Sequence, residues 1–216
     1  MFRIELMLVL ASSSPRRQEL LRNARIEFRI QPADIPEIRR AGEPAVDFAR
    51  RLAREKATTA FETLVPPGGD YVLGADTVVA VAGEVLGKPA DDRDAFRMLR
   101  LLSGHWHQVT TGVCLLGLAG PDKATGSQSV FEDVRAETTE VFFTPLTDEE
   151  IYGYIATGET KDKAGAYAIQ GVASRWIPQI RGDYFNVMGL PVALVFRMLQ
   201  EHGGTLMNES RAGVRT

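Results

Sequence analysis

The chain has 216 residues, 44% of them hydrophobic and 25% charged, with a formal net charge of −3. It is long enough to bury a real core as one domain or two lobes, and its mildly acidic balance excludes the basic face of an ordinary nucleic-acid binder. A single cysteine, Cys114, excludes both an internal disulfide framework and a thiolate zinc cluster.

Residues 4–11 predict a buried first strand. The segment 1–14 superficially resembles a secretory leader. Glu5 interrupts it, however, and leaves an apolar run shorter than the roughly 7–15 residues a leader uses. No other segment approaches the ~18 apolar residues of a membrane span, so a soluble cytoplasmic protein with neither membrane nor nucleic-acid partners is expected. A helix follows over 15–24, with Ser14 as N-cap and Pro15 at the first helical position. That register puts Arg16 and Arg17 in the first turn, where the helix dipole disfavours a cation by roughly 0.3–1 kcal/mol. A pyrophosphate group at this helix end would resolve the conflict, because free N–H groups and two guanidinium forks would meet one anion. The alternative is that both arginines snorkel into water.

I-E-F-R-I (26–30) alternates like a strand, and P-A-D-I-P-E-I (32–38) is a turn-rich loop carrying Asp34 and Glu37. Pro44 opens a helix that runs to about residue 64, ended by P-P-G-G-D (66–70). Phe48, Leu52 and Lys56 recur at i, i+4 and i+8, so Lys56 continues the apolar stripe among Ala53, Ala57 and Ala60. Its ammonium either reaches water or enters a cleft. Residues 71–81 form a strand interrupted by Asp76. A carboxylate there is costly unless it is paired, binds metal or sits at a bulge, and Gly74 and Ala75 leave backbone open for close ligand approach. A-G-E (82–84) is a hairpin turn, Lys88 is held beside Pro89 in L-G-K-P, and a helix over 92–102 ends at Ser103-Gly104.

Residues 107–118 predict a strand that buries Cys114 as a structural thiol. His105 and His107 could share a strand face, but zinc needs a third ligand and a second shell, so ligation by this pair is not expected. A polar loop (121–129) and a long strand (134–143) follow. T-D-E-E is a capping box in which Thr147 and Glu150 start a helix that stops at Gly158. Next comes loop and a short strand through D-K-A-G-A-Y-A-I-Q-G (162–171). There Asp162 and Lys163 precede small residues, and the Gln170 amide can read a base edge. W-I-P-Q-I (176–180) is strand-like, R-G-D-Y-F-N-V-M-G-L-P (181–191) is a loop containing Asp183, and a last helix over 191–202 leads into a frayed tail from 204 to 216. The alternation predicts an α/β protein with a mixed sheet flanked by helices.

Cations at several places, bracketed by carboxylates in an acidic chain, suit a small polyanion. Carboxylate and phosphate oxygens suit Mg²⁺ or Mn²⁺. Neither a Walker loop nor G-x-G-x-x-G is present.

Seven motifs occur in order: L-A-S-S-S-P-R-R-Q-E-L-L, A-R-E-K-A, G-A-D-T-V-V, L-G-K-P, L-S-G-x-x-H-Q-V-T-T-G-V, T-G-E-x-x-D-K-A-G-A-Y-A-I-Q-G and G-D-Y-F-N-V-M-G-L-P. From about Leu8 to Leu199 the chain resembles the Maf family of nucleoside triphosphate pyrophosphatases. The resemblance implies an elongated α/β fold similar to that of inosine triphosphate pyrophosphatases, in one domain (1–203) with a cleft between two lobes. It implies hydrolysis of a nucleoside triphosphate to the monophosphate and pyrophosphate. Asp76 corresponds to the general base, Arg16, Thr77 and Gln170 to base-discriminating positions, and Ser12, Arg17, Glu37, Lys56 and Lys88 to other cleft residues. A divalent metal held by Asp76 with Glu37 is expected. The D-K-A-G-A-Y-x-I-Q-G and N-V-x-G-L-P versions are similar to the dTTP- and UTP-directed subgroup, whereas the 7-methyl-GTP subgroup differs there. Ala168, in place of the usual glycine, and His105-Trp106 depart from the pattern. A non-catalytic nucleotide-binding regulator of cell division, a phosphomonoester enzyme and a different base preference stay open as alternatives, and the chain leaves room for a homodimer.

Overall fold

In a computed structural model of the chain, the described residues are 7–64, 71–119 and 129–203. Residues 4–6 of the expected first strand, the helix-ending segment expected at 66–70, most of the expected polar loop at 121–129 and the expected tail 204–216 lie outside them.

The chain starts with a parallel half. Strand β1 (Leu8–Leu10) runs into helix α1 (Pro15–Asn23), which returns to β2 (Phe28–Ile30) beside β1. The long helix α2 (Ala45–Glu62) then crosses over to β3 (Tyr71–Val81) on the other side of β1, again parallel. From β3 onward the sheet is antiparallel. Ala82 and Gly83, with φ of 49° and 85°, make a tight turn of the kind that matches strand twist, and β4 (Glu84–Leu86) folds back on β3. Helix α3 (Asp92–Leu102) leads to β5 (Trp106–Leu118) against β3, then β6 (Val130–Phe142), and later β7 (Gln179–Arg181). Among the described residues the sheet order is β2-β1-β3-β5-β6-β7, with β4 paired to β3 outside that path. The expected mixed α/β sheet is therefore present.

Helix α4 (Asp148–Ala156) starts with the predicted capping box: the Thr147 hydroxyl accepts from the Glu150 amide, while the Glu150 carboxylate accepts from the Thr147 amide. Short helix α5 (Tyr184–Met188) and helix α6 (Val192–Glu201) close the fold. No helix among the described residues is long and apolar enough to cross a membrane.

Three expectations need correction. The stretch 159–171 holds no strand. It carries a 3-10 turn at Ala164–Ala166, followed by another at Val172–Trp176, and Asp162, Gly165 and Ala166 have φ of 59°, 69° and 60°, which no strand accommodates. The strand expected over 176–180 begins only at Gln179. The loop expected over 181–191 contains α5, because Asp183 caps it by accepting the Phe185 amide at 2.8 Å. Asp183 thus serves as the N-cap of α5.

Apolar packing divides on the two sides of a cleft. One cluster joins Leu8, Leu10, Leu21 and Leu73 to Leu190, Met198 and Leu199 beneath α1 and α6. Another joins Val79 and Leu86 to Leu99, Leu102, Ile151, Tyr154 and Tyr167 beneath α3 and α4. Cys114 is buried, and burial pushes its thiol up to about 12, in keeping with a structural role.

Candidate active site

The cleft encloses about 500 Å³, within the roughly 300–1,000 Å³ usual for small-molecule sites. Its floor is the middle of β3. Helix α2 supplies one wall because it seats unusually close to the sheet. A Cβ at Gly74 would lie 2.1 Å from the Ala53 carbonyl, and one at Gly112 would lie 2.2 Å from the Ala49 carbonyl. Gly74 therefore admits the helix backbone, not a ligand as its neighbourhood to Asp76 suggests. This seating turns Lys56 inward, so the apolar-stripe lysine enters the cleft and does not snorkel out.

Asp76 and Lys56 are only 6% and 8% exposed. Strand β3 is continuous through Asp76, which pairs with Gly112, so no bulge relieves the carboxylate. Lys56 Nζ donates to Asp76 Oδ1 at 2.5 Å and to Glu37 Oε1 at 2.6 Å, and Lys88 Nζ lies 3.6 Å from Glu37 Oε2. Burial raises the pKa of Asp76, and the opposing pull of Lys56 and Arg17 does not cancel it. At Glu37 burial also pushes upward, but the Lys56 hydrogen bond together with the Lys56, Lys88 and Arg17 charges wins, and its pKa is lowered. The two carboxylates thus differ in basicity while sharing one ammonium, an arrangement suited to separating a proton acceptor from a permanent charge.

The arginine pair divides its duties. Arg17 points inward: Nε donates to the Gly189 carbonyl at 2.8 Å, one terminal nitrogen to Ser12 Oγ at 3.1 Å and the other to Thr77 Oγ1 at 3.1 Å. It neither snorkels nor presents a free fork. Arg16 lines the cleft and has no hydrogen bond or ion pair among the described residues; beyond burial it senses the charge of Asp162. Ser14 caps α1 as expected.

Thr77 is part of a buried relay. Its hydroxyl meets Thr111 Oγ1 at 3.0 Å, Thr111 donates to the Asn186 carbonyl at 3.1 Å, and Asn186 Nδ2 donates to the Val109 carbonyl and Thr139 Oγ1. This relay ties α5, and with it Gly189, to the sheet. Sequence reading assigned Thr111 and Asn186 no role. The only signal for Thr111 was its place among polar residues on a strand that proved to be buried, and Asn186 lay in a stretch expected to be a loop that proved to hold α5.

The far wall is the strip after α4, where Lys163, Tyr167 and Gln170 line the cleft. Lys163 Nζ donates to the Glu159 carbonyl at 2.6 Å, and burial, aided by Arg16, lowers its pKa. Tyr167 OH lies 2.8 Å from His107 Nε2, and burial takes His107 down to about 4, so it is neutral near pH 7. His105 is exposed and contacts the Ser103 carbonyl instead, so the two histidines share no site.

Among the described residues, all the sequence-predicted positions meet here: Ser12, Arg16, Arg17, Glu37, Lys56, Asp76, Thr77, Lys88 and Gln170 line one cleft. The family described as Maf-like protein matches residues 7–202. A dTTP/UTP pyrophosphatase of Koribacter versatilis is 54% identical over 91% of this chain and 94% of its own length. Proteins of the same name from Geobacter sulfurreducens and Thermococcus gammatolerans are 47% and 45% identical, over 91% and 89% of this chain and 96% and 95% of theirs. A solved HAM1 protein from Coxiella burnetii overlaps 91% of this chain and 99% of that one with a TM-score of 0.43 and 18% identity.

Proposed function

The chain belongs to the Maf-like protein family, and from that premise we propose that it hydrolyses dTTP and UTP to the nucleoside monophosphate and pyrophosphate. The relatives' names support the substrates. The observation that carries the chemistry is Lys56 bridging two unequal carboxylates, Asp76 and Glu37, on the floor of a cleft rimmed by Arg16, Lys88 and Lys163.

Asp76, with its pKa raised toward the working range, accepts a proton from water. The water oxygen bonds to the α-phosphorus, the bond from that phosphorus to the α,β-bridging oxygen breaks, and pyrophosphate leaves with the electron pair. Lys56 steadies Asp76 before and after the transfer. Arg16, Lys88 and Lys163 neutralise charge that builds on the departing pyrophosphate.

A divalent cation such as Mg²⁺ or Mn²⁺ belongs to the proposal. No three His, Cys, Asp or Glu residues come together to hold an ion among the described residues, and Asp76 and Glu37 each give one oxygen to Lys56. That donor set fits a cation completed by phosphate oxygens and water. Asp76 and Glu37 would hold it, and it would supply charge neutralisation to the triphosphate.

For the base, the Gln170 amide presents a donor beside an acceptor, matching O4 and N3–H of uracil or thymine. Cytosine inverts that pattern, so a Gln170 amide held in one orientation at the exposed edge of the cleft favours uracil and thymine.

The test is product analysis on UTP in a pyrophosphatase-free assay. UMP and pyrophosphate in equal amounts are expected. Orthophosphate without pyrophosphate overturns the proposal in favour of another hydrolase, and tight binding without turnover overturns it in favour of a regulator.

A further inference from the structure

Residues 163–172 form a cleft wall that belongs to no strand or α-helix, yet Gln170 needs a fixed position to discriminate one base edge from another. The beginning of this strip is held by the Gly165 amide on the Gly87 carbonyl and by Tyr167 on His107, and its end, next to Gln170, is held by one side chain behind it. The Glu159 carboxylate accepts the Val172 amide at 3.1 and 3.3 Å and the Tyr154 hydroxyl at 2.7 Å. The Tyr154 hydroxyl in turn accepts the Ala168 amide at 3.2 Å. Gly171, next to Gln170, is packed against the same carboxylate: a Cβ there would lie 2.2 Å from Glu159 Oε2. At the other end of the strip the Glu159 carbonyl accepts Lys163 Nζ. Both ends of the wall are thus moored to residue 159, while Glu159 itself is not among the residues that line the cleft.

We propose that Glu159, oriented by Tyr154, is the positioning residue for base recognition: its carboxylate fixes Gly171 and Val172 and thereby aims the Gln170 amide. This rests on reading the cleft as a dTTP/UTP site. The carboxylate suits the task because it accepts two donors at once in a fixed plane. A glycine at 171 is required because any side chain would displace the carboxylate. Sequence alone placed Glu159 only within a motif and gave it no role.

The experiment uses the full-length chain with Glu159→Ala, Glu159→Gln, Tyr154→Phe and Gly171→Ala. It measures kcat and KM for UTP, dTTP and CTP, and inhibition of UTP hydrolysis by inorganic triphosphate as a base-free probe. Glu159→Ala is expected to lower the UTP-over-CTP ratio of kcat/KM about tenfold or more. The change should enter mainly through KM for UTP, with kcat at saturation less affected and the inorganic triphosphate inhibition constant unchanged. Glu159→Gln keeps one acceptor oxygen and should restore most of the discrimination, while Gly171→Ala should mimic the loss. If Glu159→Ala does not fold, as judged by its melting transition, Tyr154→Phe decides, with the same split expected at smaller size. An unchanged base ratio in a folded Glu159→Ala variant, or equal losses for UTP, CTP and inorganic triphosphate, overturns the proposal. Should the wild type itself release no pyrophosphate from any of the three nucleotides, the functional reading falls, and this proposal falls with it.

Discussion

Asp76 and Arg17 show how the surroundings of one side chain decide its role. Asp76 works as a base only when deprotonated, and burial holds its pKa above the ordinary carboxylate value. The acid limb of kcat/KM should therefore lie above the usual value of about 4, with activity falling as pH drops through it. Lys56→Met removes the nearest positive charge that opposes this shift, so the limb should move to still higher pH; a limb that moves down contradicts the pairing. Asp76→Asn keeps the shape but removes the proton acceptor, and pyrophosphate release should fall by roughly 10²–10⁴. Near-normal turnover would remove Asp76 from its role. Arg17 reverses a sign that the sequence suggested. A cation in a first helical turn is disfavoured, so its removal should stabilise the empty protein. The structure instead gives Arg17 three side-chain hydrogen bonds, two of them to residues far along the chain. Arg17→Ala is therefore expected to destabilise by roughly 1–3 kcal/mol, the range for leaving buried partners unsatisfied, as measured by urea unfolding. A variant as stable as the wild type would mean that these bonds contribute nothing.

Helix α2 is the element on which the site depends most. Its Ala49, Ala53 and Ala57 lie against Gly74 and Gly112, a contact of backbone on backbone that only small residues on both surfaces permit. Gly74→Ala would place a methyl carbon against the Ala53 carbonyl, where neither side is a flexible chain end. The cost should reach or exceed the roughly 1–3 kcal/mol typical of overpacking. Because the helix must lift, Lys56 should be drawn from Asp76, so pyrophosphate release should drop further than the lost stability explains. A variant with wild-type stability and activity would show that α2 can slide freely. Periodicity made α1, α2, α3, α4 and α6 legible within a residue or two, because their apolar stripes and caps are local. The strip 159–171 was misread for the opposite reason. Its positive φ angles are imposed by contacts such as Gly165 N–H to the Gly87 carbonyl at 3.0 Å and Gly165 packing on Val79, and these partners are distant in sequence.

For the molecule as a whole, two bodies of apolar packing flank a cleft whose charges come from separate stretches of chain. Such a site binds metal and nucleotide together or weakly, since its two carboxylates already share Lys56. Mn²⁺ alone should leave the melting temperature unchanged. Mn²⁺ with a non-hydrolysable UTP analogue should raise it, with stabilisation of about 2.7 kcal/mol when the analogue is at a hundred times its Kd. A large shift from metal alone would mean that the protein has a preformed ion site.

The sequence by itself determined the class of fold and most helix boundaries, because strand and helix periods and caps are written in neighbouring positions, and the set of residues that meet in the cleft was legible through the family resemblance that its ordered motifs carry. Tertiary structure decided what those residues do there. It turned Lys56 inward by seating α2 on two glycines, turned the Arg17 guanidinium onto Ser12, Thr77 and the Gly189 carbonyl at the cleft wall, and made Asp183 a helix cap. It also revealed Thr111, Asn186 and Glu159 as supports. The placements of Lys56, Arg17, Thr111 and Asn186 depend on partners many positions away, which no local pattern encodes, whereas the Asp183 cap and the Glu159 anchor use partners within thirteen residues that only the folded backbone brings into hydrogen-bond range.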